Sequence, residues 1–170
     1  RLLCGAEIEV LVERVLPGDP AAEALKAFSE ERTPALWTSD GLHRRCEPAD
    51  PARMPKPDGQ PVLLQRLYDP RPRLIVVGSD PAALAMASLG AQAGFETWLN
   101  RPKGPPSPPP VPGLGYLRQT PDEALAVVGL DRWTAVAVAS HDADTDHPAL
   151  VAALSSDAGY VGLLGARRRL

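Results

Sequence analysis

The chain has 170 residues, 44% of them apolar but only 5% aromatic, so it can build a packed core from aliphatic and alanine side chains. Its net charge of -3 and pI near 5.6 give no reason to expect nucleic acid as a partner, and no apolar run approaches the ~20 residues of a membrane helix. Cys4 and Cys46 are too few for a disulfide scaffold and sit at neither a zinc nor a redox spacing. No secretory signal is visible, which points to the cytoplasm, and an arginine at position 1 implies a native start further upstream.

Residues 4–16 alternate, with Glu7, Glu9 and Glu13 between Ile8, Val10, Val12 and Val15, which predicts a strand with one wet face. Pro17-Gly18-Asp19-Pro20 reads as a turn and 21–31 as a helix ending near Thr33-Pro34. A strand over 34–39 leads into an Asp40-Gly41 turn. Residues 43–61 are polar and rich in proline, hence a long loop, and 62–68 is another strand. Asp69-Pro70-Arg71-Pro72 reads as a boundary. A small N-terminal α+β domain over 1–70 and a Rossmann-like domain over 71–170 are therefore expected.

The second half alternates strand and helix. Leu74-Ile75-Val76-Val77 is a short, β-branched strand that ends in Gly78, and Asp80-Pro81 supplies an N-cap and a proline at the first helical position. The helix that follows is rich in alanine, and small residues let a helix approach a sheet closely. Strands are expected over 95–99, 115–118, 134–139 and 160–164. A capping box at Thr120-Pro121-Asp122-Glu123 opens one helix, and the polar segment Ser140–Asp146 leads into another that ends near Ser155. This rhythm predicts an open, mostly parallel α/β sheet with helices on both faces, whose ligands sit at the carboxyl ends of the strands. Seven prolines between Pro102 and Pro112 exclude helix and central strand there. They predict a loop of polyproline character, with a ligand for a proline-reading domain as the alternative.

The strand ends carry Gly78-Ser79-Asp80, Asn100-Arg101, Ser140-His141-Asp142 and Gly162 to Gly165. A dinucleotide site leaves bare N–H groups at the helix start for the pyrophosphate. Here only the first glycine of G-x-G-x-x-G remains, Asp80 is placed to occupy those donors, and Asn100 stands where an acid usually holds the ribose. NAD(P) is therefore a poorer expectation than a well-capped helix in a Rossmann-like scaffold. His141, Asp142, Asp144, Asp146 and His147 could bind a divalent metal or could simply form a helix entry, where acids suit the dipole. Arg167-Arg168-Arg169 is either a solvated helix start or an anion clamp beside Gly165.

Four stretches resemble the xanthine dehydrogenase accessory protein family, XdhC/CoxI type. Cys4-Gly-Ala-Glu-Ile-Glu-Val-Leu-Val-Glu13 is similar to its Cys-Gly-Gly strand, and Arg73-Leu-Ile-Val-Val-Gly78 to the strand before its Gly-Ala-Gly-His loop. Thr134-Ala-Val-Ala-Val-Ala-Ser-His-Asp142 resembles its strand ending in Thr-His-Asp, and Tyr160-Val-Gly-Leu-Leu-Gly-Ala-Arg-Arg168 its Tyr-Ile-Gly-Leu-Ile-Gly-Ser-Arg segment. The resemblance implies a cytoplasmic homodimer that binds molybdenum cofactor (molybdopterin) and assists its maturation or its insertion into a molybdenum hydroxylase such as xanthine or carbon monoxide dehydrogenase. A client hydroxylase and a cysteine desulfurase are the implied partners. By position the resemblance marks Cys4, Gly78, His141, Asp142, Gly162, Gly165 and Arg167. The strand-end reading adds Ser79, Asn100 and Arg101 as cofactor-binding residues. Ser79-Asp80-Pro81 replaces the family's Ala-Gly-His, and Ala6 its second glycine. No catalytic residue and no metal ligand is assigned, which suits a binding and delivery protein better than a turnover enzyme. An NAD(P)-dependent oxidoreductase is the rival reading, and a regulatory module with an empty crevice is the third.

Overall fold

A computed structural model describes residues 10–50 and 63–165. The chain divides into two compact units, Arg1–Pro70 and Arg71–Leu170. Among the described residues, no helix is long and apolar enough to cross a membrane.

In the first unit, Asp19 starts helix α1 (Pro20–Glu30) by accepting hydrogen bonds from the backbone N–H groups of Ala21 and Ala22 at 3.0 and 3.2 Å. Pro20 sits in the first turn, where a missing N–H costs nothing. Strands β1 (Ala35–Ser39), β2 (Arg44–Pro48) and β3 (Leu64–Tyr68) form an antiparallel sheet with β1 in the middle. β2 corrects the expectation of loop over 43–61. Its Arg-Arg-Cys-Glu-Pro sequence is polar because it is an edge strand with mostly wet side chains. The turn before it is closed by the Asp40 carboxylate, which accepts the N–H groups of His43 and Leu42 at 2.6 and 2.8 Å. Those donors, His43 first, hold the Asp40 carboxyl at about 2.

A second correction concerns 4–16. Residues 4–9 lie outside the described residues, and 10–16 form no strand. The expected burial is also inverted there. Val12 is 87% exposed, whereas Glu13 turns inward to accept the Ser39 hydroxyl at 2.6 Å and to pair with Arg44 at 3.5 Å. Alternation does not distinguish a strand from an extended segment pinned by one acid.

In the second unit, β4 (Arg73–Val77), β5 (Glu96–Asn100), β6 (Gly115–Leu117), β7 (Thr134–Val138) and β8 (Tyr160–Leu163) form one sheet. Every pair is parallel, and the order is β6-β5-β4-β7-β8. Helices α2 (Pro81–Gln92), α3 (Pro121–Val128) and α4 (Ala143–Leu154) make the crossovers. Both faces are covered, which explains the continuous apolar reading of the strands. Ile75 and Val77 pack with Leu125 of α3 and Ala149 and Ala153 of α4, while Val76 packs with Ala83 and Ala87 of α2. The expected open α/β sheet is thus observed.

Two features draw the layers together. A Cβ at Gly90 would lie 2.5 Å from Leu74 Cδ2 and 3.1 Å from Thr97 Oγ1, so glycine lets α2 pack here without displacing those side chains. Arg73 is buried at the start of β4, donates to the carbonyls of Val128 and Gly129, both at 2.9 Å, and pairs with Glu96 at 3.0 Å. A cation thereby satisfies the last carbonyls of α3. Gly162 lies inside β8, opposite Ala137, and not in the loop beyond it. The proline run after β5 bends repeatedly and does not form a straight polyproline helix. The strand order reverses at β4, with β5 on one side and β7 on the other.

Candidate functional site

That reversal makes the carboxyl ends of β4, β5 and β7 the crevice of this sheet. Gly78 leaves β4 with φ +156°, and a Cβ there would overlap the carbonyl oxygen of Ala139 and sit 3.0 Å from the Cβ of Ala83. The one glycine kept from the dinucleotide pattern is therefore required by the approach of β4 to β7 and α2. A phosphate is not needed to explain it.

Asp80 caps α2 as its position predicts. One carboxylate oxygen accepts the Ala83 N–H at 2.7 Å, and the other lies 2.7 Å from His141 Nε2. His141 reaches it from a left-handed backbone conformation, φ +58°, which a non-glycine residue adopts rarely. Negative charge and a filled donor thus stand where a pyrophosphate would dock.

At the end of β5, Asn100 is fully buried. Its Nδ2 donates to the carbonyls of Leu117 and Gln119 at 3.4 and 3.0 Å, and its Oδ1 has no hydrogen-bond partner. Asn100 thus staples β5 to the β6–α3 connection. Arg101 donates to the Ser79 carbonyl at 3.3 Å, while its Nε is buried without a partner. Ser79 itself is exposed.

Beyond β7, Asp142 caps α4. Its carboxylate accepts the Lys103 ammonium at 3.0 Å, the Thr145 hydroxyl at 3.1 Å and the Asp144 N–H at 3.2 Å. Those donors, Lys103 first, hold the Asp142 carboxyl below the usual carboxylate range. The same hydrogen bond to Asp142 raises the Lys103 ammonium. Asp146 turns back to accept both the hydroxyl and the N–H of Ser140. The acids of 142–146 are therefore engaged in helix entry, and among the described residues no three His, Cys, Asp or Glu side chains are grouped to hold a metal.

Of the residues singled out from sequence, Gly78, Ser79, Asn100, Arg101, His141 and Asp142 meet at this edge of the sheet. Gly162 stands apart inside β8. Gly165 lines a cleft of about 370 Å³ with Ala143, Asp146, His147 and Leu150. Cys4 and Arg167 lie outside the described residues. Sequence reasoning missed Lys103. Its signal was the pair of prolines around it, Pro102 and Pro105, which make a stiff turn directly after a strand end.

A five-stranded parallel sheet with helices on both faces and its crevice at the switch point defines a Rossmann-like domain. The model of the XdhC Rossmann domain matches residues 74–170, more than half of the chain, and the chain belongs to that family. Among solved structures, a xanthine dehydrogenase from Bacillus halodurans is similar, with a TM-score of 0.62 at 16% identity. The match covers 84% of this chain and 51% of that one, so the present chain spans about half the length of that structure. At this identity the likeness is one of fold. No curated protein matches the chain.

Proposed function

We propose that this chain is an accessory protein of a molybdenum hydroxylase of the xanthine or carbon monoxide dehydrogenase type. It binds molybdenum cofactor at the strand-end crevice and assists its maturation or insertion. The observation that carries the reading is the family match over 74–170, which takes in the whole parallel sheet but for its first residue. The Bacillus halodurans structure, described as a xanthine dehydrogenase, is in keeping with it.

The side chains at the crevice fit the anionic, phosphorylated end of such a cofactor. Arg101 offers a buried, unpartnered Nε, and Ser79 an exposed hydroxyl. His141 would face the pterin, while Asp80 opposes any phosphate placed directly on α2. When bound, the cofactor carries the redox chemistry of the client enzyme, and this chain's residues bind, orient and release it. In this reading the protein works in the cytoplasm as a homodimer, with a client hydroxylase and a cysteine desulfurase as partners. NAD(P) is disfavoured by the Asp80 cap and by Asn100 in place of an acid. The same cap favours one second reading, a regulatory module whose crevice stays empty.

The test is the pterin content of the protein purified from a host that makes molybdenum cofactor, with NAD(P) added in parallel. Stoichiometric pterin, undisturbed by NAD(P), is the expected result, and His141→Ala should lower it without unfolding the chain. Saturable NAD(P) binding without pterin would refute the proposal in favour of an oxidoreductase. Binding of neither would favour the empty module.

A further inference from the structure

Resting on that reading of the crevice, we propose that Lys103 is a further binding residue, which takes a phosphate monoester of the ligand in exchange for Asp142. β4 separates β5 from β7, so the contact from Lys103, after β5, to Asp142, after β7, crosses the end of the strand between them. The side chain is 79% exposed, and an exposed pair of this kind adds little stability.

The turn that presents Lys103 is nevertheless tightly fixed. The Gly104 N–H donates to the Arg101 carbonyl at 2.9 Å, and the Tyr116 hydroxyl donates to the Pro105 carbonyl at 2.7 Å. A Cβ on Gly104 would lie 2.5 Å from the Tyr116 oxygen and 2.7 Å from the Arg101 Cβ. Pro102 and Pro105 hold φ on either side. With the turn fixed, only the Lys103 side chain has to be ordered when it meets an anion. The pair is also built to exchange, because Asp142 keeps the Asp144 N–H and the Thr145 hydroxyl when Lys103 leaves. Arg101, two residues earlier in the chain and bonded to the Ser79 carbonyl, adds a second positive charge at the end of β5. A phosphate monoester brings nearly two charges and several acceptor oxygens to this pair of cations, more than the single charge of Asp142. A carboxylate ligand has no such advantage over it.

The probe is inorganic pyrophosphate, titrated calorimetrically into the full chain as wild type, Lys103→Ala, Asp142→Asn and Lys26→Ala. Asparagine keeps the α4 cap while removing the competing charge. We expect Lys103→Ala to weaken binding about tenfold or more and Asp142→Asn to strengthen it by a similar factor, with Lys26→Ala unchanged. Equal binding by wild type and Lys103→Ala, weaker binding by Asp142→Asn, an equal loss in Lys26→Ala, or no binding at all each overturns the proposal. Pterin content of the same preparations separates the two readings. Equal pterin in wild type and Lys103→Ala refutes the role of Lys103 and leaves the cofactor assignment standing. Lys103-dependent pyrophosphate binding without pterin refutes the cofactor assignment and keeps the phosphate residue.

Discussion

Replacing Asp80 with alanine removes two contacts of different kinds. The carboxylate caps α2 through the Ala83 N–H, and it holds His141 at 2.7 Å. Loss of an aspartate cap costs about 0.5–2 kcal/mol. The ion pair adds only ~0–1 kcal/mol, because the two side chains are 23% and 48% exposed and water screens them. Asp80→Ala should therefore cost about 0.5–3 kcal/mol. Asp80→Ser retains a capping oxygen and should cost no more than ~1 kcal/mol. At roughly 4–8 °C per kcal/mol for a domain of about 100 residues, thermal unfolding resolves the two variants. Amide exchange of α2 peptides should localise the loss, with about tenfold faster exchange per 1.4 kcal/mol. Equal stability of the alanine variant and the wild type would refute the capping role. If alanine and serine fell together, the charge rather than the cap would be what holds α2. The serine variant should also bind pyrophosphate more tightly, since it removes a negative charge from the start of α2.

Gly78→Ala places a methyl group against the Ala139 carbonyl, a backbone atom that cannot step aside. It should destabilise the sheet by about 1–3 kcal/mol or more, read as a lowered unfolding midpoint in urea, whether or not any ligand is present. Arg73→Met removes the bonds to the carbonyls of half-buried Val128 and exposed Gly129, which water can partly replace, and should cost about 1–3 kcal/mol, whereas Glu96, a third exposed, rehydrates on its own. An unchanged melting temperature for that variant would contradict the tie between β4 and the end of α3. The Lys103–Asp142 contact has a defined pH window. Asp142 has a lowered pKa, so its contribution is present above the ordinary carboxylate value of 3.8 and is lost as pH falls through the folded-state value. Lys103 has a raised pKa, so its contribution is present below 10.5 and is lost as pH rises through its folded-state value. Carboxyl NMR should show Asp142 titrating below 3.8, and Lys103→Ala should move that midpoint upward.

Much of the second unit was legible because its signals are local. The β-branched run of β4 marks a strand covered on both faces, and Asp80-Pro81 and Thr120 to Glu123 mark helix starts through bonds that span three residues or fewer. β2 was not legible, because an edge strand of five residues, three of them charged, acquires its structure from β1 and carries no apolar period of its own. Nor was the inward turn of Glu13, whose partners Ser39 and Arg44 lie well outside its own segment. A hairpin after the Asp40-Gly41 turn was the overlooked clue to β2.

The sequence by itself determined the order of strands and helices in the second unit, the caps on those helices and the loss of the dinucleotide glycines, since each depends on residues within a turn or two of one another. Only the tertiary structure decided what the strand-end residues do. Gly78 serves the passage of β4 past Ala139, Asp80 meets His141, and Lys103 reaches Asp142 across 39 residues of chain. Those contacts exist because the parallel sheet reverses its order at β4 and brings the ends of β5, β4 and β7 side by side, a neighbourhood that no local spacing in the chain encodes.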